Sequence, residues 1–185
     1  MAEAVFRART EEAGLDGLVA VDSAGTGGWH EGDGADPRTV AVLRAAGYEE
    51  DHTARQFQAD WFGSRDLVIA LDDGHLRALR RLAPSAEDAA KVRLLRSYDA
   101  AVSSGGTDPY SFAPSHHLDV PDPYYGGMEG FEECLEMVEA ACEGLLVAVR
   151  ESLAQTGRLA DREALSAGTA SYGAGGSPAV TAASP

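Results

Sequence analysis

Short apolar runs that alternate with helical patterns are the feature that most constrains the fold of this chain. The runs cover Leu18–Val21, Leu67–Leu71 and Lys91–Leu95. Their content of Val, Leu and Ile and their short length fit buried parallel strands. Helical patterns lie before, between and after them. The alternation predicts an α/β protein in three layers, with a small parallel sheet flanked by helices.

Local signals set the helix boundaries. The first helix is predicted from Ala2 to a stop at Gly14, and the second begins with Asp36 as N-cap and Pro37 at the first helical position. From Met128 to about Leu153, apolar residues recur three and four positions apart, which predicts one long amphipathic helix.

Two stretches lack such patterns. Residues 98–118 are rich in Ser, Gly, Pro and His and predict a long loop, and residues after 154 become rich in Ala, Gly, Ser and Pro. We therefore expect one domain over residues 1–154 and a disordered tail over residues 155–185.

The charge balance excludes several classes of function. Against 30 acidic residues stand 15 basic ones, a net charge of 15 − 30 = −15. Non-specific nucleic-acid binding depends on Lys and Arg, and acidic membrane surfaces repel such a chain. No apolar run approaches the roughly 18 residues of a spanning helix, and the first residues have neither a basic head nor a hydrophobic signal core. We expect a cytoplasmic protein that binds neither nucleic acid nor membrane.

One segment before the long helix holds a carboxylate on stiff backbone. Asp122 lies between Pro121 and Pro123 and is followed by Tyr124 and Tyr125. Proline fixes its own φ and keeps the preceding residue extended, so Asp122 can lie neither in a helix nor in a central strand. These residues alone leave two interpretations open: an Asx turn that leads into the helix, or a carboxyl group aimed at a reacting atom.

Five separated segments of the chain match one known family. They are Met1–Phe6, Asp22–Thr26 with Trp29 and His30, His52–Gln56, Ile69–Asp72 and Asp122–Gly126. In this order they resemble the low-molecular-weight protein-tyrosine-phosphatase family, and the resemblance runs from Met1 to about Val149. It implies the fold of that family and hydrolysis of phosphotyrosine in protein substrates through a cysteinyl-phosphate intermediate, without a cofactor or a metal.

The resemblance also implies roles for single residues. Asp122 would be the general acid that protonates the leaving phenol, and then the base toward water. Tyr124 and Tyr125 would form one wall of an aryl slot and Trp29 the other, because aromatic faces hold a flat ring.

Three further positions match the family's supporting residues. Ser23 and His52 correspond to positions that brace the phosphate loop, and Asp72 to a carboxylate at the end of the neighbouring strand. Without that loop, we expect Ser23 and His52 to lack partners. Arg55 is expected to be structural, and the histidine pair at 116–117 to be solvated, since adjacent histidines on a loop are a weak metal signal.

The family's nucleophile has no counterpart in this sequence. Its Cys-x5-Arg-Ser loop and first strand would fall before Met1, and neither Cys134 nor Cys142 has an arginine at the required spacing. Both cysteines belong to the long helical pattern, about 12 Å apart along it, so we expect two buried, unreactive thiols that do not pair. The leading hypothesis is a truncated reading frame begun at an internal methionine.

The missing strand would lie between the first two strands present here. Its loss is expected to expose two central sheet edges and to leave the chain poorly soluble or molten. Two other functions stay open: a catalytically dead module that binds aromatic side chains, and a protein-arginine phosphatase. A thioredoxin-coupled arsenate reductase is rejected, because residues 72–84 contain no cysteine.

Overall fold

The sheet of the protein is parallel throughout and has the strand order β1-β4-β2-β3. The computed structural model describes residues 1–103, 118–160 and 179–184. The strands are β1 (Ala20–Gly25), β2 (Leu67–Ala70), β3 (Val92–Leu94) and β4 (Ala179–Ser184). The sequence interpretation as an α/β fold with a small parallel sheet is confirmed.

Helices cover both faces of the sheet. They are α1 (Ala2–Glu12), α2 (Pro37–Ala45), α3 (Asp73–Leu82), α4 (Ala86–Ala90), α5 (Ala100–Ser103) and α6 (Met128–Gln155), with 3-10 turns at Ala59–Ser64 and Leu95–Tyr98. Within the described parts of the chain, no helix is both long enough and apolar enough to cross a membrane.

The helix boundaries predicted from the sequence are found in the structure. After α1 the backbone turns at Gly14, whose φ of 65° suits a residue without a side chain. At the start of α2, the side chain of Asp36 accepts a hydrogen bond from the backbone N–H of Arg38, and Pro37 takes the first helical position. The predicted long helix is α6, and its buried face includes both cysteines.

Some boundaries differ from the sequence interpretation. β1 begins at Ala20 rather than Leu18 and continues beyond the predicted end at Val21 to Gly25, where a glycine-rich loop begins. Backbone pairing explains the extension, because Gly25 bonds both to the carbonyl oxygen of Arg55 and to the N–H of Phe57. The apolar pattern from Leu76 to Leu82 predicts a helix that in the structure already starts at Asp73, and no pattern predicts α4.

The expected disordered tail is corrected at its far end. Residues 179–184 form β4, which pairs with β1 on one side and β2 on the other. The prediction of two exposed central edges is therefore wrong, and the expectation of a molten chain loses its basis. A separate domain over residues 1–154 stays a prediction. Residues 104–117 of the predicted loop, with its two histidines, lie outside the described residues.

Two apolar clusters fill the layers on either side of the sheet. The larger lies between the sheet and α1, α2 and α6 and includes Phe6, Leu43 and Val138. The smaller lies beneath α3 and includes Phe62 and Leu79. Successive residues of β2 belong to different clusters, Val68 to the smaller and Ile69 to the larger, because successive strand side chains point to opposite faces.

Gly144 in α6 lets the helix pack closely against the backbone of Tyr98. A Cβ atom at this position would lie 1.9 Å from the carbonyl oxygen of Tyr98. We predict that Gly144→Ala lowers the free energy of unfolding by about 1–3 kcal/mol, because the backbone must shift to relieve the clash. Urea denaturation followed by circular dichroism measures the change.

Gly130 in the same helix is the matched control. A Cβ atom there would meet the Cβ of Pro123 at 3.5 Å, an ordinary contact. Gly130→Ala should leave stability unchanged or raise it by up to about 1 kcal/mol, since alanine favours helix. Equal effects of the two substitutions would show that Gly144 is not a packing requirement.

Candidate functional site

A cavity of about 640 Å³ opens at the carboxyl edge of the sheet. Parallel α/β sheets commonly bind ligands at this edge, where the strands end and loops converge. Its walls come from the first turn of α1, the end of β1, the β2–α3 junction and the loop before α6. Lining residues include Glu3, Ser23, His52, Asp72, Asp122, Tyr124 and Tyr125.

The loop that carries Asp122 is tied to the end of β2 by two hydrogen bonds. The N–H of Val120 donates to the carbonyl oxygen of Leu71 at 2.8 Å. The N–H of Asp73 donates to the Oδ1 atom of Asp119 at 2.9 Å. Because both bonds lie within three residues of Asp122, they fix the position of its carboxyl group on the cavity wall.

The Asp122 carboxyl group has a defined orientation. Its Oδ1 atom accepts a hydrogen bond from the N–H of Tyr124 at 2.9 Å, an Asx turn of the kind the sequence left open. Within the described residues, the Oδ2 atom has no hydrogen-bond partner, and the side chain is solvent-exposed on the cavity wall. One oxygen is thus used for positioning, and the other is available to a ligand. The Asx turn is therefore present, and the role of Asp122 toward a reacting atom stays a prediction.

Arg38 joins residues 124–126 to α2 by hydrogen bonds. Its Nη1 atom donates to the carbonyl oxygens of Tyr124 and Gly126 at 3.1 and 3.2 Å. The guanidinium also lies 4.5 Å from the ring centroid of Phe131, a cation–π contact. Hydrogen bonds from Arg38 lower the pKa of Asp36 to about 2, so the arginine is itself held at the start of the helix.

The aromatic residues of the predicted slot are only partly brought together. Tyr124 and Tyr125 line the cavity with their rings edge to face, 5.2 Å between centroids. Trp29 does not line it; its side chain is 90% exposed and lies over Gly27, whose added Cβ would meet the ring at 2.1 Å. Tyr124 and Tyr125 therefore lie on the cavity wall, whereas Trp29 does not, and the aryl slot stays a prediction.

Ser23 and His52 have a partner that the sequence analysis did not identify. The hydroxyl of Ser23 donates to the carboxylate of Glu3 in the first turn of α1, and the Nδ1 atom of His52 lies 3.6 Å from the same carboxylate. Arg7 pairs with Glu3 one turn later. The expectation that the serine and histidine lack partners is therefore wrong, because a carboxylate on α1 occupies their polar groups.

The environment of Glu3 favours its charged form. Burial works to raise its pKa, but hydrogen bonds from His52 and Ser23 and the charge of Arg7 outweigh burial and lower the pKa to about 2. Glu3 is therefore an ionised brace that joins α1 to β1, and not a proton donor near neutral pH.

Asp72 serves the helix that follows it. Its Oδ1 atom accepts a hydrogen bond from the N–H of His75 at 2.6 Å, which makes Asp72 the N-cap of α3. The His75 Nδ1 atom lies 3.0 Å from Asp72 Oδ2, close enough for an ion pair but without the geometry of a hydrogen bond. Asp72 and Asp122 both line the cavity, and the supporting role of Asp72 stays a prediction.

Neither cysteine has the properties of a nucleophile. Burial raises the pKa of the Cys134 thiol, and it raises that of Cys142 to about 12. Only the thiolate attacks, so these groups are unreactive near neutral pH. Arg55, for its part, bonds the carboxylate of Asp22 and the carbonyl oxygen of Ser23. In the described part of the chain, no three potential metal ligands lie close together.

Three anchoring residues escaped the sequence analysis. Glu3 lies in the first predicted helix, Arg38 follows a helix cap, and Asp119 precedes a proline-rich loop. Of these, only Asp119 carried a local signal, because it opens the segment that contains Asp122. Besides their neighbours on the same helix, the partners of Glu3 and Arg38 lie 20 to 88 positions away in the chain, and no spacing rule connects them.

Comparisons with known proteins agree on one family. A family model described as low molecular weight phosphotyrosine protein phosphatase matches residues 1–158. A low molecular weight protein-tyrosine-phosphatase of Streptomyces coelicolor is 70% identical over 153 residues, which are 83% of this chain and 87% of the relative. Phosphatase A of Mycobacterium tuberculosis is 45% identical over 157 residues, 85% of this chain and 87% of the relative.

Solved structures show the same fold. A protein tyrosine phosphatase from Entamoeba histolytica superimposes with a TM-score of 0.70 at 29% identity, over 82% of this chain and 88% of that one. YfkJ from Bacillus subtilis gives 0.65 at 31% identity, over 82% and 86%. The resemblance found in the five sequence segments is confirmed.

The depressed pKa of Glu3 predicts a pH dependence of stability. Its value is about 2 in the folded chain against 4.5 ordinarily, so its contribution is complete above pH 4.5 and is lost as the pH falls toward about 2. We predict that Glu3→Gln is less stable than the wild type near neutral pH. The difference should shrink across that acidic window, as measured by urea midpoints at several pH values.

Glu11, exposed on the same helix, provides the control. Glu11→Gln should follow the wild-type pH profile within error, because that carboxylate has no comparable buried partners. A Glu3→Gln deficit that stays constant between pH 4.5 and about 2 would contradict the assignment of Glu3 as the ionised brace.

Proposed function

The chain belongs to the low-molecular-weight phosphotyrosine protein phosphatase family, and we propose that its cavity binds the aryl group of phosphotyrosine and protonates the leaving phenol. Members of this family are hydrolases that act on phosphotyrosine in proteins. One observation carries the proposal: the loop of Asp122 presents a carboxyl oxygen without a hydrogen-bond partner in the described structure on the wall of a 640 Å³ cavity.

The two oxygens of Asp122 suit a general acid. The Oδ1 atom, which accepts the N–H of Tyr124, acts as the carbonyl oxygen of the protonated acid. The proton would then sit on Oδ2, the oxygen without a hydrogen-bond partner in the described structure. As a thiolate forms a bond to phosphorus and the P–O bond to the aryl group breaks, this proton passes to the phenolic oxygen. The remaining carboxylate then takes a proton from the water that attacks phosphorus and displaces the thiolate.

The substrate's ring would lie against Tyr124 and Tyr125. Tyr124 is 58% exposed and Tyr125 is 94% exposed, so both rings have apolar area to bury. Arg38 holds the backbone of this aromatic pair, which limits the conformational freedom that binding would otherwise remove. Trp29 is proposed as a second wall only if the glycine-rich loop brings it to the cavity when substrate binds.

The nucleophilic thiolate and the phosphate-binding arginine are proposed to come from a Cys-x5-Arg-Ser loop that precedes Met1. Support comes from the two cysteines in the sequence, both buried in α6 with raised pKa values. The cavity borders the first turn of α1, where such a loop would present backbone N–H groups to a phosphate. Ser23, His52 and Asp72 are proposed as its supporting residues.

A cytoplasmic location is proposed from the state of the two cysteines. Both cysteines are free and buried, and free thiols are typical of reducing compartments. The substrates are proposed to be phosphotyrosine-containing proteins, with no nucleic acid and no membrane as partner, in keeping with the net charge of −15.

The 185-residue chain should not hydrolyse p-nitrophenyl phosphate above background, because no thiol in it is both exposed and acidic. Joining a strand and a Cys-x5-Arg-Ser loop before Met1, with residues 179–184 removed so that the strand position between β1 and β2 is free, should create activity. A continuous absorbance assay at 405 nm, run for a time on the order of hours, compares the hydrolysis rates of the two chains. Turnover by the 185-residue chain itself would contradict this assignment of the nucleophile.

In the extended chain, Asp122→Asn should lower the rate of phenyl phosphate hydrolysis by about 10²–10⁴-fold, since the amide cannot protonate the leaving group. The loss should be smaller for p-nitrophenyl phosphate, whose leaving group needs less protonation. Single-turnover rates for both substrates test this.

Glu129→Gln removes a charge at the start of α6 without touching the cavity and serves as the control for Asp122→Asn. It should retain activity within about twofold. Equal losses on both substrates for Asp122→Asn would remove Asp122 as the acid, and a preference for phosphoarginine over phosphotyrosine peptides would favour the protein-arginine phosphatase.

A further inference from the structure

Basic residues are concentrated in one short part of this acidic chain. Residues 76–96 contain six Arg and Lys and two acidic residues, a balance of 6 − 2 = +4 within a net charge of −15. The rest of the chain therefore carries −15 − 4 = −19. Because α3, α4 and β3 pack against one another, this positive charge collects on one part of the protein surface.

Three exposed arginines share one face of α3. Arg77, Arg80 and Arg81 stand three and four positions apart, which makes them neighbours on a helix surface. Arg77 pairs with Asp73 at 3.0 Å, whereas Arg80 and Arg81 have no ion pair to the described residues. The helix dipole favours cations in the last turn and so accounts for part of this arrangement.

A fourth arginine reaches the same place from the sheet, where the helix dipole does not act. β3 is the outermost of the described strands on this side. The carbonyl oxygen of Lys91 accepts the N–H of Val68 in β2, so the carbonyl oxygen of Val92 faces the outer edge of the sheet. The Nη2 atom of Arg80 and the Nη1 atom of Arg93 both donate to this oxygen at 3.3 Å.

Two guanidinium groups that share one acceptor lie close together. The donating nitrogens of Arg80 and Arg93 are at most 6.6 Å apart, twice their distance of 3.3 Å to the oxygen. Neither group has a carboxylate partner among the described residues, and each keeps further N–H donors. A carboxylate beside the pair would accept hydrogen bonds from both groups and offset their repulsion.

We propose that Arg77, Arg80, Arg81 and Arg93 form a docking surface for an acidic, extended segment of a partner protein. The Arg80–Arg93 pair binds one Glu or Asp side chain of the segment, and the remaining arginines of α3 bind its neighbours. None of the four arginines lines the cavity, and Val92 lies at the opposite end of its strand from the carboxyl edge. The proposal therefore does not depend on the proposed phosphatase function.

The charge of the surrounding protein favours a short peptide over a nucleic acid. A nucleic acid is a continuous polyanion and would extend from this surface onto parts of a chain whose remaining charge is −19, which repels it. A short acidic segment can end within the basic surface. Leu82, which follows Arg81 and is 42% exposed, offers an apolar contact that suits a peptide side chain.

Fluorescence anisotropy with the full 185-residue chain tests the docking surface. The probe is fluorescein-labelled hexaglutamate, and labelled hexaglutamine is the uncharged control peptide. Hexaglutamate should bind saturably, and added salt should weaken its binding. Arg80→Gln/Arg93→Gln should weaken it by about tenfold or more, because both donors to one carboxylate are lost.

Arg44→Gln/Arg150→Gln is the matched control. It removes the same charge from exposed positions on α2 and α6, so hexaglutamate should bind within about twofold of the wild type. Backbone amide NMR spectra locate the peptide and report folding: hexaglutamate should shift amides of residues 77–81 and 91–93 and leave those of α6 unchanged.

If the Arg80→Gln/Arg93→Gln spectrum is not native, Arg81→Gln decides the point. The Arg81 side chain makes no hydrogen bond or ion pair to the described residues, so its replacement removes charge without removing a structural contact. Arg81→Gln should weaken hexaglutamate binding by about threefold or more.

Several results would overturn the proposal. They are the absence of saturable hexaglutamate binding, equal losses in the two paired variants, and unchanged affinity in Arg81→Gln where that variant decides. Equal binding of hexaglutamine would remove the role of charge. Tighter binding of a fluorescein-labelled oligothymidylate than of hexaglutamate would contradict the assignment of a peptide as the partner.

Discussion

Backbone pairing of the central strand is the interaction on which the rest of the structure depends. β1 and β2 carry residues that open onto the cavity; within the described residues they do not pair with each other, and each pairs with β4. An unpaired central edge would leave N–H and C=O groups without partners inside the core. The hydroxyl of Thr181 in β4 also donates to Asp22 and accepts a hydrogen bond from Arg65.

From the carboxyl edge of this sheet, a short series of contacts leads to the candidate site. The carbonyl oxygen of Leu71 accepts a hydrogen bond from the N–H of Val120, and the side chain of Asp119 accepts one from the N–H of Asp73. Asp122 follows between two prolines. Each contact joins one rigid element to the next, so the carboxyl group of Asp122 is placed by the sheet and not by the loop alone. On the other side of the cavity, Glu3 positions Ser23 and His52. Its low pKa keeps the carboxylate charged, so it interacts with both side chains.

The sequence predicted those features that local chemistry determines. Asp36 with Pro37, Gly14 and the apolar stripe of α6 act within one or two helical turns, and each was found where expected. The proline–aspartate segment was likewise recognisable, because proline restricts the backbone whatever surrounds it.

What could not be predicted depends on partners distant in sequence. β4 consists of alanine, serine, threonine and one valine, a composition with little strand signal, and it becomes a strand only because two neighbours offer complementary edges. Trp29 was expected at the cavity, but its glycine-rich loop places the ring elsewhere. The most direct test of the account is a set of interstrand NOEs in the full chain. The account predicts NOEs from the backbone of Thr181 to both Asp22 and Val68, whereas random-coil shifts for residues 179–184 without such NOEs would contradict it.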